Sequence, residues 1–113
     1  VALSPRAGMN PLQTTGTSPD ITLEQDGSKG RYVAMVEGIT EPAELTFSIV
    51  NEHLIIADHT GVPDSMRGMG VGKALVERLV DDARRKQVKI VPLCPYVNAQ
   101  RRKHPEWADV FQA

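Results

Sequence analysis

Three glycines at alternate positions, Gly68, Gly70 and Gly72, stand directly before a helical pattern in "MRGMGVGKALVERLVDDARRK". No other stretch restricts the possible folds as much. Glycine is a poor helix residue and loses the most backbone entropy on folding, so it recurs where the backbone must stay bare or turn left-handed. From Val71 to Lys86 the apolar residues Val71, Ala74, Leu75, Leu79 and Ala83 follow the helical period, with Val76 and Val80 widening the stripe. Arg84, Arg85 and Lys86 close the last turn, where cations complement the helix dipole. A bare loop feeding a helix start suits an approaching anion, because first-turn amides have no acceptor inside the helix.

The segments around this helix alternate as strands do. "ITLEQD" from Ile21, the turn cluster "GSKG" and "RYVAMVE" read as a hairpin. "GITEP" breaks the chain, "AELTFSIV" puts Leu45, Phe47 and Ile49 on one face, and Asn51–Glu52 makes the next turn. "HLIIADHT" is a more continuous apolar run, which predicts a strand buried on both faces. After the helix, "VKIVPL" reads as a strand, Asn98 to Lys103 as a short polar helix, and Trp107 with Phe111 as a core-closing staple. The predicted class is α+β: a small, mixed, mostly antiparallel sheet with one long helix after the fourth strand and a short C-terminal helix. Residues 1–20 carry Pro, Gly, Ser and Thr without apolar periodicity, and read as a disordered segment or a non-native leader ahead of Met9. That leaves 21–113 as the single domain.

Bulk properties exclude several function classes. At 113 residues the chain has room for one core. A net charge of −1 argues against a dedicated nucleic-acid binder. The one cysteine, Cys94, cannot form an internal disulfide, and no apolar run approaches the roughly 20 residues that span a bilayer. With no apolar leader core in the first twenty residues, the expected address is cytoplasmic, away from membranes. His53, His59 and His104 lack metal-ligand spacing, so no metal is expected.

Three phosphate-loop patterns compete for the glycines. A Walker A loop fits at Gly72-Lys73, but Arg67 takes its first glycine position and Ala74 replaces the magnesium-binding hydroxyl. A dinucleotide fingerprint fails because Lys73 stands at its third glycine. The third pattern, R-x-x-G-x-G, is filled by Arg67, Gly70 and Gly72. There the loop amides face a pyrophosphate while Arg67 and Lys73 add positive charge. The alternative is a loop that only turns a strand into a helix.

"HTGVPDSMRGMGVGKALVERLVDDARRKQVKIVPLCPYV", followed by "HPEW", resembles the coenzyme A-binding core of the GNAT superfamily of N-acetyltransferases, in particular its minimal single-domain YjdJ-type members. The resemblance spans roughly Ile21 to Phe111. It implies acetyl-CoA as cosubstrate and a sheet whose fourth and fifth strands splay to admit the pantetheine arm. Backbone groups at Thr60, Gly61 and Val62 would then bond the pantetheine amides. Arg67, Gly68, Met69, Gly70, Val71, Gly72 and Lys73 would hold the pyrophosphate, with Asn98 completing the set. The chain itself supplies a reason for a splay: Pro92 and Pro95 bracket Cys94, and proline cannot donate to a ladder.

Acetyl transfer to an amine requires a neutral amine, an acceptor for its proton and donors for the developing oxyanion. A lysine acceptor arrives charged, with a pKa of about 10.4. His59 is the base candidate by residue type, or else a strand-end histidine that bonds backbone. Cys94 could carry the acetyl group, protonate the leaving thiolate, or simply pack. The resemblance implies a catalytic role for it, and the superfamily's usual direct attack favours one-step transfer. Many members place a tyrosine in the short helix as the acid; Gln100 stands at that place here, leaving Cys94 or Tyr96 for the role. The short turns before His53 leave no room for an acceptor wall, so the expected acceptor is a protein lysine or a small polyamine. A non-catalytic CoA-binding module, or an interaction protein on the same fold, is the rival reading. Oligomeric state is not legible.

Overall fold

The computed structural model describes residues 19–112. The reading of 1–20 as a disordered segment or leader therefore lies outside the described residues, except that Asp20 already opens the first strand. Five strands form one sheet in sequence order: β1 (Asp20–Asp26), β2 (Lys29–Met35), β3 (Ala43–Asn51), β4 (Leu54–Gly61) and β5 (Lys89–Pro92). β1 to β4 run antiparallel; β5 lies parallel to β4 across the crossover helix α1 (Val71–Lys86). The helix α2 (Pro95–Lys103) follows β5, and a 3₁₀ turn (Pro105–Trp107) leads into the tail. The α+β fold with one long helix after the fourth strand is the one the sequence predicts.

Local chemistry explains the turns. Asp26 and Lys29 close the first hairpin around Gly27, whose φ of 64° favours glycine. Between β3 and β4 the Asn51 side chain accepts from the His53 amide at 2.7 Å, an Asx turn. α1 ends at Gln87, left-handed at φ 59°, with its amide turned back onto Ala83 and Arg84 carbonyls.

The core lies between α1 and one face of the sheet. Val71, Leu75, Val76, Leu79 and Val80 pack with Tyr32, Ala34, Leu45, Phe47, Ala57 and Ile90. Truncating a fully buried Leu75 or Leu79 to alanine should cost about 2–5 kcal/mol. The other face carries rows such as Glu24, Arg31, Thr46 and His59, exposed or half-buried. Burial of β4 on both faces is therefore not observed: only Ala57 is fully buried, and Leu54, Ile55 and Ile56 are half-buried. The long helix covers one side alone. The staple also takes a different form. Trp107 sits in a 3₁₀ turn, while Phe111 bridges in parallel to Ile90 and closes the β5 edge.

A candidate coenzyme cleft at the parting of two strands

The glycine loop is anchored by its methionines. Met66, in the 3₁₀ turn Asp64–Met66, is buried, and Met69 packs against the core. Held at these points, the chain reverses through Gly68 at φ 84° and Gly70 at φ 73°, conformations that a side chain strains. Gly70 is the N-cap of α1 and no side chain caps the helix. The amides of Val71, Gly72 and Lys73 are thus left without intrahelical acceptors.

Gly72 has a different reason to be glycine. It lies inside the helix, and a Cβ there would meet Tyr96 Oη at 2.7 Å. A side-chain contact thus stands at this position beside the predicted role in holding the pyrophosphate.

The β4–β5 ladder ends at Ala57 and Pro92. One further bond, from the Cys94 amide to the Ala57 carbonyl at 2.8 Å, holds the strand ends together. Beyond it β4 continues through Asp58, His59, Thr60 and Gly61, paired with β3 on one side only. The fourth and fifth strands part here, beside the uncapped end of α1. A register shift falls at the same place. Phe47 pairs with Ala57 and Thr46 with His59, so Asp58 is an extra residue in β4. The bulge puts Asp58 and His59 on the outer face, where Asp58 accepts from Ser48 Oγ at 2.6 Å.

Cys94 is the N-cap of α2 rather than a strand residue. The helix begins at Pro95, earlier than the Asn98 start that composition predicts, because proline at the first helical position needs no partner for its missing N–H. Cys94 is buried, with Sγ 3.3 Å from Thr60 Oγ1. Thr60 pairs with Leu45 and faces the helices; His59 faces the opposite side and is exposed. The structure brings Thr60 to Cys94 and Tyr96 to Gly72 on the helix side of the sheet, and sets His59 on the opposite side. Exposed Val62 and Leu93 flank the parting at the ends of the two strands.

The remaining candidates are placed as follows. Arg67 donates to Asp64 at 2.6 Å with both side chains mostly in solvent, so its charge is already partnered. Lys73 is exposed, 4.0 Å from Glu77. Asn98 accepts from Arg101 Nε at 2.8 Å. Tyr96 is about one-third exposed, and its burial pushes the phenol pKa up, keeping the hydroxyl protonated. Among the described residues no group of His, Cys, Asp or Glu is disposed to hold a metal, and no helix is long and apolar enough to cross a membrane.

A mixed sheet that parts beside a glycine-rich helix start is the architecture of the GCN5-related N-acetyltransferase fold. Residues 31–110 match the model of the GCN5-related N-acetyl-transferase family, and the chain belongs to that family. Protein NATD1 of Xenopus tropicalis is 26% identical over 94 residues, covering 83% of this chain and 86% of the relative. Protein NATD1 of Homo sapiens is 25% identical over 95 residues, covering 84% of each chain. The NMR solution structure of a GCN5-like protein from Staphylococcus aureus superposes with a TM-score of 0.62 at 30% identity. It covers 81% of this chain and 88% of that one.

Proposed function

We propose that the protein transfers the acetyl group of acetyl-CoA to an amine. The observation that carries this reading is the parting of β4 and β5 next to the uncapped start of α1, with Cys94 Sγ against Thr60 where the strands separate. A pantetheine arm is an extended chain with two amides. The half-paired edge Asp58–Gly61 offers the backbone groups such a chain can bond in place of a strand. The amides at the start of α1, supported by Lys73, would receive the pyrophosphate.

Within this cleft Cys94 is best suited to protonate the departing CoA thiolate. The polar side chain recorded against its sulfur is a hydroxyl, that of Thr60. A nucleophilic cysteine needs a neighbouring cation or base to hold it as thiolate. Direct attack by the neutral amine, with proton donation from Cys94, asks for neither. His59 opens to the outer face and would take the amine proton from that side. That face is not covered by a helix among the described residues, which suits an acceptor presented on a larger surface or an extended one: a protein lysine or a polyamine. The rival reading, a module that holds CoA without turnover, shares the cleft and differs only in chemistry.

The test is calorimetric titration with acetyl-CoA, followed by an assay of free CoA thiol in the presence of lysine peptides and polyamines. Saturable binding with amine-dependent thiol release is expected. Binding without release would leave the CoA-holding module, and no binding would leave a fold without its ligand.

A further inference from the structure

We infer that Tyr96 is a positioning residue that locks the Cys94 turn to the start of α1, and that Gly72 is glycine because the Tyr96 ring occupies the space a side chain would need. The lock exists as packing whatever the protein does; its value for catalysis rests on the acetyltransferase reading. A Cβ at Gly72 would lie 2.7 Å from Tyr96 Oη, 3.0 Å from Cζ and 3.2 Å from Cε2. These atoms are the far end of a partly exposed side chain, so the contact is relieved when the Tyr96 ring swings out from over α1. Gly72 also differs from its neighbours. Gly68 and Gly70 have positive φ and open space around them, whereas Gly72 has an ordinary helical place and no space. Two glycines serve the turn; the third serves a contact.

That contact joins three segments. Tyr96 lies two residues beyond Cys94, in the first turn of the helix that Cys94 caps. The Cys94 amide is bonded to Ala57 and its sulfur lies against Thr60, both on β4. The ring of Tyr96 therefore fixes α2 against α1 while Cys94 fixes the same turn against β4. Removing the ring takes away the tie to α1 and leaves the Cys94 turn held by its backbone bonds and its contact with Thr60. Overfilling Gly72 displaces the ring and should have the same consequence.

Alkylation of Cys94 by iodoacetamide reads the lock without any coenzyme, because a buried thiol reacts only when its surroundings open. Wild type would be compared with Gly72→Ala, Tyr96→Ala, Tyr96→Phe and the double variant Gly72→Ala/Tyr96→Ala. Acetyl-CoA affinity would be measured in parallel. Gly72→Ala and Tyr96→Ala should each speed alkylation by roughly tenfold or more. Tyr96→Phe keeps the ring and should alkylate near the wild-type rate. The double variant should match Tyr96→Ala, since alanine at 72 does no harm once the ring is gone; if Gly72→Ala does not fold, the double variant should.

The inference is overturned if Gly72→Ala leaves alkylation unchanged, or if the double variant is as unfolded as the single one. It is overturned equally if Gly72→Ala weakens acetyl-CoA by the same factor with and without the Tyr96 ring, which would make the glycine a ligand requirement. Absence of acetyl-CoA binding in wild type would remove the acetyltransferase reading and leave the alkylation result to decide the lock.

Discussion

The two ends of α1 are built by opposite rules. At its carboxyl end Asp82, the buried charge of the described chain, accepts from Tyr32 Oη at 2.7 Å and Arg78 Nε at 3.1 Å, and also from Arg85. Arg78 further donates to the Ile21 carbonyl at 3.2 Å and lies over the Tyr32 ring. Arg84 grips Asp109 with two bonds, and Gln87 closes the backbone. At its amino end no side chain caps the helix, the residues are glycine and valine, and the backbone turns left-handed just before it. Polar groups are consumed at one end and left available at the other. Stabilising side-chain bonds and uncapped amides are thus separated along one helix, a division that the proposed coenzyme site would use.

The strongest way to break this division is chemical, at the open end. Cys94→Ala should lower the acetylation rate by about 10²–10⁴-fold, the range for a lost general acid, with acetyl-CoA affinity nearly unchanged. Steady-state kinetics beside calorimetry measures both. An acetyl group mapped to Cys94 by intact-mass spectrometry would replace the acid role with a covalent one.

At the closed end, Asp82→Ala strands the buried Tyr32 hydroxyl and should cost roughly 2–3 kcal/mol in chemical denaturation. The folded variant should bind coenzyme as wild type does, and a large loss of affinity would refute the separation. The same residue sets an acid limb. Burial alone would raise the Asp82 pKa, but the Tyr32 hydroxyl and the Arg78 and Arg85 guanidiniums outweigh it and hold it below the ordinary 3.8. The unfolded chain therefore binds that proton more readily. The contribution is present above pH 3.8 and disappears as pH falls through the lower folded value. Unfolding of Asp82→Ala should show a flatter acid limb than wild type.

Smaller effects sharpen the comparison at the loop. Gly70→Ala should destabilise by about 1–2 kcal/mol through left-handed strain, and Gly70→Asn by less, because Asn tolerates that conformation. Equal thermal shifts for the two would mean that something other than strain sets the requirement. Least of all, Arg67→Ala should weaken acetyl-CoA by under about tenfold, since Asp64 already partners an exposed guanidinium. A larger loss in a binding titration would mean that Arg67 abandons Asp64 for the phosphates.

Much of the architecture is readable along the chain because its causes are local. Valine and leucine at helical spacing define α1, and alternation around Gly27 and Asn51 defines the hairpins. The candidate site is readable only in outline. The apolar run in "HLIIADHT" gives no warning that Asp58 is an extra residue, since a bulge is a mismatch between two strands. Asp82 interrupts the apolar stripe visibly, with Arg78 and Arg85 one turn to either side, yet its partner Tyr32 stands 50 residues earlier.

By itself the sequence determined which segments are helix and strand, their order, and the bare entrance to α1, because periodicity, proline and glycine act over a few residues. Only the tertiary structure decided where β4 and β5 part and which face His59 takes. It also decided that Thr60 meets Cys94, 34 residues away, and that Tyr96 fills the space above Gly72. Those contacts join side chains distant in sequence, and the packing of α1 and α2 on one face of the sheet is what brings them within reach.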